Sequence, residues 1–158
     1  MKTGLAFHLF YVYNSYMSNE NFSTIPHQQR VEKPWGYEII YTPAELSRAG
    51  KILFVKAGKK LSFQYHDQKE ETMCLFSGRA LIWLENQKGE IEKIEMETQK
   101  GYTVRPPQKH RVEAMEDSFI LEVSSPETGT TVRIEDNYKR PDETEEIRKS
   151  DNRGWQQK

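Results

Sequence analysis

Residues 61–71, LSFQYHDQKEE, combine the alternation of a β-strand with side chains that can bind a cation. Gln64 and His66 are two residues apart, so on a strand both side chains point to the same face. Glu70 and Glu71 follow across a short turn. Amide oxygen, imidazole nitrogen and carboxylate oxygen together suit a divalent metal ion. These polar side chains are therefore either ordinary surface residues on an exposed strand or part of a metal site in a β protein.

Similar segments continue on both sides of this stretch. Apolar and polar residues alternate in short runs, and turn residues separate the runs at roughly the 8–12-residue spacing that is typical of a sandwich or barrel. The runs read WGYEIIYT, GKILFVKAG, ETMCLFSG, RALIWLEN, KIEMETQKG, YTVRPPQKHRVEA and SFILEVSS. This pattern predicts an all-β domain.

The composition excludes several classes of protein. The 158 residues suit one domain, and 30% of them are charged, against about a quarter in an average globular protein. The net charge of -1 provides no basic field for nucleic acid or for an anionic membrane, so we expect neither as a partner. Cys74 is the only cysteine, which excludes an intrachain disulfide. Nothing in the sequence requires an oxidising compartment, and we predict a cytoplasmic protein.

The two ends of the chain differ from its centre. Residues 1–16 are apolar and aromatic, but His8 interrupts them and no small-residue cleavage site follows, so we do not expect a signal peptide. Either Met17 is the natural start, or the segment is an arm that packs on a partner subunit. After Ser125 the alternation fades, and DETEEIRK predicts a short helix capped by Asp142. The predicted parts are an N-terminal arm with little order (residues 1–29), a β-barrel domain (residues 30–140) and a charged tail (residues 141–158).

Two glycine-anchored motifs resemble those of a known superfamily. The sequence from Gly58 to Gly78 reads G-x5-Q-x-H-x4-E-x6-G, and the sequence from Gly101 reads G-x4-P-x3-H. These segments resemble the two cupin motifs, with Gln64 where most cupins carry a first histidine and Ala114 where an asparagine is common. The resemblance implies a single cupin (jelly-roll) β-barrel, followed by a short helical or irregular C-terminal extension.

Three segments carry a closer resemblance. They resemble parts of the cupin domain of type II mannose-6-phosphate isomerases, the form fused to guanylyltransferases. The three segments read EKPWGYE, LSFQYH and ILEVSSPETGTTVRIEDNYKR. This resemblance implies a divalent metal ion (zinc, manganese, iron, nickel or cobalt), a sugar or sugar-phosphate substrate, and a homodimer. The implied metal ligands are Gln64, His66, Glu71 and His110. Gln64 is either a direct ligand or a hydrogen-bond partner of one.

The implied reaction points to further candidate residues. An aldose–ketose isomerisation moves a proton between adjacent carbons, so it needs an electrophile at the carbonyl oxygen and a base near the C–H bond. The carboxylates that could act as the base, or form salt bridges instead, are Glu122, Glu135 and Asp136. Glu122 is the preferred candidate, and on its strand it faces either inward or outward. Arg133 is a candidate for catalysis and for substrate binding. Arg105, Lys109 and Arg140 are the other candidates for binding a substrate phosphate.

The sequence leaves several interpretations open. Trp35 and Tyr37 form either a stacking platform for a sugar or a plug at the barrel end. The function is that of a sugar or sugar-phosphate isomerase, of another metal-dependent cupin enzyme such as a dioxygenase, or of a non-catalytic ligand-binding module.

Overall fold

The structure is a computed structural model that describes residues 22–156. Most of the predicted arm lies outside the described residues. The strands are β1 (Gln29–Lys33), β2 (Gly36–Ile40), β3 (Ala49–Val55), β4 (Phe63–His66), β5 (Glu71–Ser77), β6 (Ala80–Glu85), β7 (Ile91–Glu95), β8 (Gly101–Val104), β9 (His110–Ala114), β10 (Ser118–Ser124) and β11 (Thr131–Glu135). Helix α1 (Glu145–Arg148) and a 3-10 turn (Asp151–Gly154) follow.

Two antiparallel sheets enclose the core. The six-stranded sheet has the order β1-β2-β3-β10-β5-β8, and the five-stranded sheet has the order β11-β4-β9-β6-β7. The buried core between them includes Leu53, Leu75, Ile82 and Ile120. The all-β fold that the alternation predicts is confirmed. Among residues 22–156, no helix has both the length and the apolar character needed to cross a membrane.

The alternation along β10 determines which of its side chains enter the barrel. Ile120 and Glu122 are buried, whereas Val123 is half exposed. β10 is paired on both sides, with Glu122 opposite Lys51 of β3 and opposite Met73 of β5. The carboxylate of Glu122 therefore faces the interior, which settles the orientation that the sequence left open.

A tight turn between β1 and β2 places Trp35 in the core. Gly36 follows with φ +150°, and a Cβ atom there would lie 2.0 Å from the carbonyl oxygen of Phe54, so this close approach requires glycine. The Trp35 carbonyl accepts a hydrogen bond from the N–H of Lys56 at 3.0 Å. The ring of Tyr37 stacks instead on Phe54, with 5.0 Å between the ring centroids. Trp35 is thus a core residue, and Tyr37 packs away from it.

Part of the segment predicted to be a charged tail packs on the barrel. Thr144 caps α1 by accepting a hydrogen bond from the N–H of Ile147 at 3.4 Å. The prediction that Asp142 is the cap was wrong, because its carboxylate accepts a hydrogen bond from the Arg133 N–H of β11 at 2.8 Å. In the 3-10 turn, only 7% of the Arg153 side chain is exposed. This arginine therefore reaches the barrel interior.

Candidate metal centre

Three buried side chains from different strands meet inside the barrel. His66 ends β4, Glu71 begins β5 and His110 begins β9, and one donor atom of each lies within 4.8 Å of the others. The Nε2 atom of His66 is 3.3 Å from Glu71 Oε2, and the Nε2 atom of His110 is 3.1 Å from Glu71 Oε1. Donors bound to one cation at about 2.1 Å lie about 3.0–3.4 Å apart in octahedral or tetrahedral geometry. The two distances between an imidazole nitrogen and the Glu71 carboxylate fall in this range.

The two imidazole rings are oriented by partners on their far side. His110 Nδ1 lies 3.0 Å from the carbonyl oxygen of Gln108, which can only accept, so Nδ1 carries the proton and Nε2 keeps a lone pair. His66 Nδ1 lies 3.0 Å from the hydroxyl of Thr131, and its Nε2 atom has no hydrogen-bond partner. Burial lowers the pKa of His66 to about 4, so the ring is neutral at pH 7. Imidazole rings whose Nδ1 atoms are held in this way have Nε2 oriented for metal binding.

Gln64 lies beside the cluster but does not present an oxygen to it. Its Oε1 atom accepts a hydrogen bond from Ser62 Oγ at 2.6 Å, and its Nε2 atom is 3.5 Å from Nε2 of His110. A 180° rotation of the amide exchanges these atoms, and Ser62 can then accept the hydrogen bond instead. The amide can therefore support His110 in one orientation and supply a ligand oxygen in the other.

We expect the Gln64→Ala protein to bind metal more weakly than wild type, by about 10-fold, and to lose less affinity than either histidine variant. The reason is that a neutral amide contributes less to a cation than an imidazole lone pair does. Competition with a chelator of known affinity measures this ranking. A loss larger than that of His66→Ala would make Gln64 a principal ligand.

Lys69 is a site residue that the sequence analysis missed. Its Nζ atom lies 2.5 Å from Glu71 Oε2 and 3.0 Å from Glu122 Oε1. Burial disfavours the ammonium ion, but Glu122 and Glu71 outweigh this effect and hold the pKa of Lys69 above its ordinary value. The available signal was its position two residues before Glu71, next to the metal-ligand motif.

Glu122 belongs to the same charged group. Its carboxylate lies 3.0 Å from Lys69 Nζ and 3.6 Å from Lys51 Nζ, and both lysines are buried. Burial raises the pKa of Glu122 above its ordinary value, while the two lysines act in the opposite direction. The paired cations explain how a carboxylate is tolerated in the interior.

The other candidate residues separate into two groups. Arg133 and Arg140 line the cavity beside the cluster. Arg105 and Lys109 do not line it: the guanidinium of Arg105 is exposed and lies 3.0 Å from Glu70, and Lys109 lies 2.6 Å from Glu85. Arg105 and Lys109 thus lie at strand ends outside the wall of this cavity.

The cavity next to the cluster has a volume of about 60 Å³. Part of its wall is apolar and includes Trp35, Leu53 and Met73. The remainder carries seven lysine or arginine side chains and five glutamates. Two of these cations, Arg111 and Arg140, also pair with Glu135 and Asp136. The many N–H donors of this wall suit a small oxygen-rich ligand.

Solved structures share the fold, whereas no family model and no curated protein sequence matches the chain. An oxalate decarboxylase of Bacillus subtilis, studied for its Mn(II) centres, is 16% identical with a TM-score of 0.59, over 72% of this chain and 34% of that one. The Lactobacillus farciminis oxalate decarboxylase in a formate complex is also 16% identical, with a TM-score of 0.58, over 69% of this chain and 35% of that one.

The chain thus spans about one third of the length of these structures. At such identities the likeness concerns the fold alone. Oxalate decarboxylases are cupin-fold proteins. The described part of this chain therefore has the cupin β fold, with a buried His–Glu–His cluster suited to a divalent metal ion.

Proposed function

We propose that this protein is a metal-dependent cupin that isomerises a sugar or sugar phosphate between its aldose and ketose forms. The observation that supports this most directly is the placement of a second carboxylate next to the candidate metal ligands. Lys69 contacts Glu71 at 2.5 Å and Glu122 at 3.0 Å, so it joins the ligand set to a candidate base. The resemblance of three sequence segments to mannose-6-phosphate isomerases points to the same reaction.

His66, Glu71 and His110 would hold the cation, with Gln64 as a fourth ligand or as a support. When bound, a divalent cation supplies a Lewis acid that polarises the carbonyl oxygen of the substrate. The protein residues then have two tasks, which are to orient the substrate and to carry the proton.

Glu122 is the residue that we assign to proton transfer. Its carboxylate removes the proton from the carbon next to the carbonyl as the enediol forms, and the same carboxyl returns it to the former carbonyl carbon, while the hydroxyl proton passes from one substrate oxygen to the other. Burial raises the pKa of this carboxyl, which brings it closer to the working pH of a general base. Lys69 and Lys51 hold the carboxylate in position at 3.0 and 3.6 Å.

Arg133 and Arg140 are suited to the anionic part of the substrate, since both line the cavity. A water-sized group needs roughly 10–15 Å³, so the volume of about 60 Å³ accepts about four to six such groups. The reacting end of a sugar fits this space, and a whole hexose phosphate requires the wall to open.

The same volume and charge support a second candidate, which is metal-dependent chemistry on a small carboxylic acid. The fold neighbours named above are oxalate decarboxylases, and an oxalate ion would match the small volume of the cavity and the lysine and arginine side chains in its wall. Carbon dioxide release and oxygen consumption distinguish this candidate from isomerisation.

The deciding experiment is elemental analysis of the purified protein, followed by assays with that metal restored. Hexose and pentose phosphates and their unphosphorylated forms are tested for isomerisation, and oxalate is tested for carbon dioxide release. Interconversion of an aldose and a ketose that stops on chelation is the expected result. A metal-loaded protein that converts none of the sugars would contradict the proposed reaction.

We expect Arg133→Gln to raise the KM for a phosphorylated sugar by about 10-fold or more while changing the KM for the unphosphorylated sugar much less. An arginine that binds phosphate contributes a charge-assisted hydrogen bond that the unphosphorylated sugar cannot make. Lys109→Gln is the matched control, because Lys109 pairs with Glu85 away from the cavity. An equal rise in both KM values would remove Arg133 from phosphate binding.

A further inference from the structure

Two buried hydrogen-bond donors in the cavity wall have no partner among the described residues. They are the indole Nε1 of Trp35 and the guanidinium Nε of Arg133. Trp35 is 3% exposed, and the Arg133 side chain is 8% exposed. Buried donors are almost always paired in native proteins, since an unpaired one loses its hydration without compensation. Both residues line the same cavity, so a molecule in that cavity is the available partner.

The position of Trp35 is well determined by its surroundings. Its ring packs in the core cluster together with Leu53 and Met73, and its backbone carbonyl is bonded to Lys56. Gly36 holds the turn that follows it. The indole N–H is therefore a preorganised donor set in an apolar part of the wall.

Arg133 is held equally firmly but in a charged part of the wall. Its Nη2 atom lies 3.0 Å from Glu143 Oε2, and its Nη1 atom donates to the Pro141 carbonyl. In the sheet it lies opposite Gln64, next to the candidate metal ligands. Each terminal nitrogen thus has one protein partner, whereas Nε has none among the described residues.

We propose that Trp35 determines ligand specificity by donating its indole N–H to a ligand oxygen, while Arg133 donates its Nε–H to a second oxygen. Both groups are donors only, so they accept hydroxyl, carboxylate or phosphate oxygens and discriminate against an amine. The apolar wall around Trp35 suits the C–H faces of the same molecule. The ligand class is thus a compound with at least two acceptor oxygens beyond those that face His66, Glu71 and His110. This inference rests on the proposed function, because it takes the ligand in the cavity to be the substrate of that reaction.

The indole resonances give a test that does not require turnover. The protein has three tryptophans, and the Trp35→Phe variant identifies the Trp35 cross-peak in a ¹H–¹⁵N spectrum. The zinc-loaded full chain is titrated with mannose 6-phosphate and, separately, with oxalate. We expect a saturable downfield shift of the Trp35 cross-peak with at least one probe. Trp83 is the internal control, because its Nε1 atom is also unpaired but it does not line the cavity.

Affinity measurements provide the second readout. We expect Trp35→Phe to weaken binding of that probe about 3–10-fold, the effect of one hydrogen bond, and Trp83→Phe to leave it unchanged. Because Phe is also smaller than Trp, deoxy analogues of the sugar are compared as well. We expect the analogue that lacks the accepting oxygen to bind wild type and Trp35→Phe with equal affinity. A loss of affinity seen only with the parent sugar is then the effect of the hydrogen bond and not of packing.

The outcomes distinguish this inference from the proposed reaction. Saturable binding or turnover with a stationary Trp35 cross-peak overturns the role of Trp35 and leaves the isomerase proposal in place. A shifted cross-peak without aldose–ketose conversion supports Trp35 and contradicts the isomerase. If none of the probes binds, water alone pairs with these donors, and both proposals fail.

Discussion

Replacing Arg153 with alanine is expected to lower the free energy of unfolding by about 3–5 kcal/mol, the usual effect of removing one partner from a buried ion pair. The Nη1 atom of Arg153 lies 3.2 Å from Glu38 Oε1 and 3.3 Å from Glu143 Oε1. Its Nη2 atom pairs with Glu127. Without the guanidinium, three buried carboxylates would each lose one of their paired cations.

Urea denaturation followed by circular dichroism measures this effect. Arg79→Ala is the matched control, because Arg79 pairs with Glu95 at 2.7 Å while both side chains are more than half exposed. An exposed pair contributes little, so we expect the control to unfold like wild type. Equal midpoints for the two variants would show that the contacts of Arg153 do not stabilise the fold.

The pH dependence of stability should change in the same variant. Burial opposes ionisation of Glu143, but Arg153 and Lys33 outweigh burial and hold the pKa of Glu143 below its ordinary value of 4.5. A depressed folded-state pKa adds stability above the unfolded-state pKa, and this contribution is lost as pH falls below about 4.5. In Arg153→Ala the pKa of Glu143 rises towards its ordinary value, so the contribution is smaller; its loss still begins near pH 4.5 but is complete at a higher pH than in wild type.

Replacing either His66 or His110 with alanine is expected to lower metal affinity by more than about 100-fold, which exceeds the usual loss from removing a residue that only orients a ligand. Each variant removes one of the two buried imidazole nitrogens that lie 3.3 and 3.1 Å from the Glu71 carboxylate. The remaining two donors leave the cation with an incomplete coordination shell.

Elemental analysis after gel filtration measures the bound metal in these variants. His27→Ala is the matched control, since His27 is an exposed histidine far along the chain from both motifs. We expect full metal content in His27→Ala and less than a tenth of it in the other two variants. Retention of the metal by both His66→Ala and His110→Ala would exclude this cluster as its site.

Much of the fold can be read from the sequence because strand alternation is a local property. Each of the predicted segments lies on or next to an observed strand, and Gln64 and His66 do share a face with Ser62. The spacing of the two motifs also brought His66, Glu71 and His110 to one place. A short turn connects β4 to β5, so Glu71 follows His66 closely enough for motif spacing to select it over Glu70.

The local signals were weaker at the segment ends. Asp142 and Thr144 are both residue types that cap helices well. Thr144 is the cap in the structure, whereas the Asp142 carboxylate accepts a hydrogen bond from the backbone N–H of Arg133 in β11. Arg105 and Lys109 likewise flank a predicted turn, and only the turn geometry shows that they point away from the cavity. The identity of a helix cap and the direction of a side chain at a turn both depend on contacts with distant parts of the chain.

The sequence by itself determined the strand pattern, since alternation is a local property, and its resemblance to the cupin motifs pointed to four candidate metal ligands, Gln64, His66, Glu71 and His110. The tertiary structure alone decided that Glu122 faces inward and meets Lys69, 53 residues away. It alone also brought Arg153 into the barrel beside Glu127, 26 residues away. The physical reason is that buried ion pairs form between charged groups that are close in space. The order of the strands in the sheets, and not the separation along the chain, determines which groups are close.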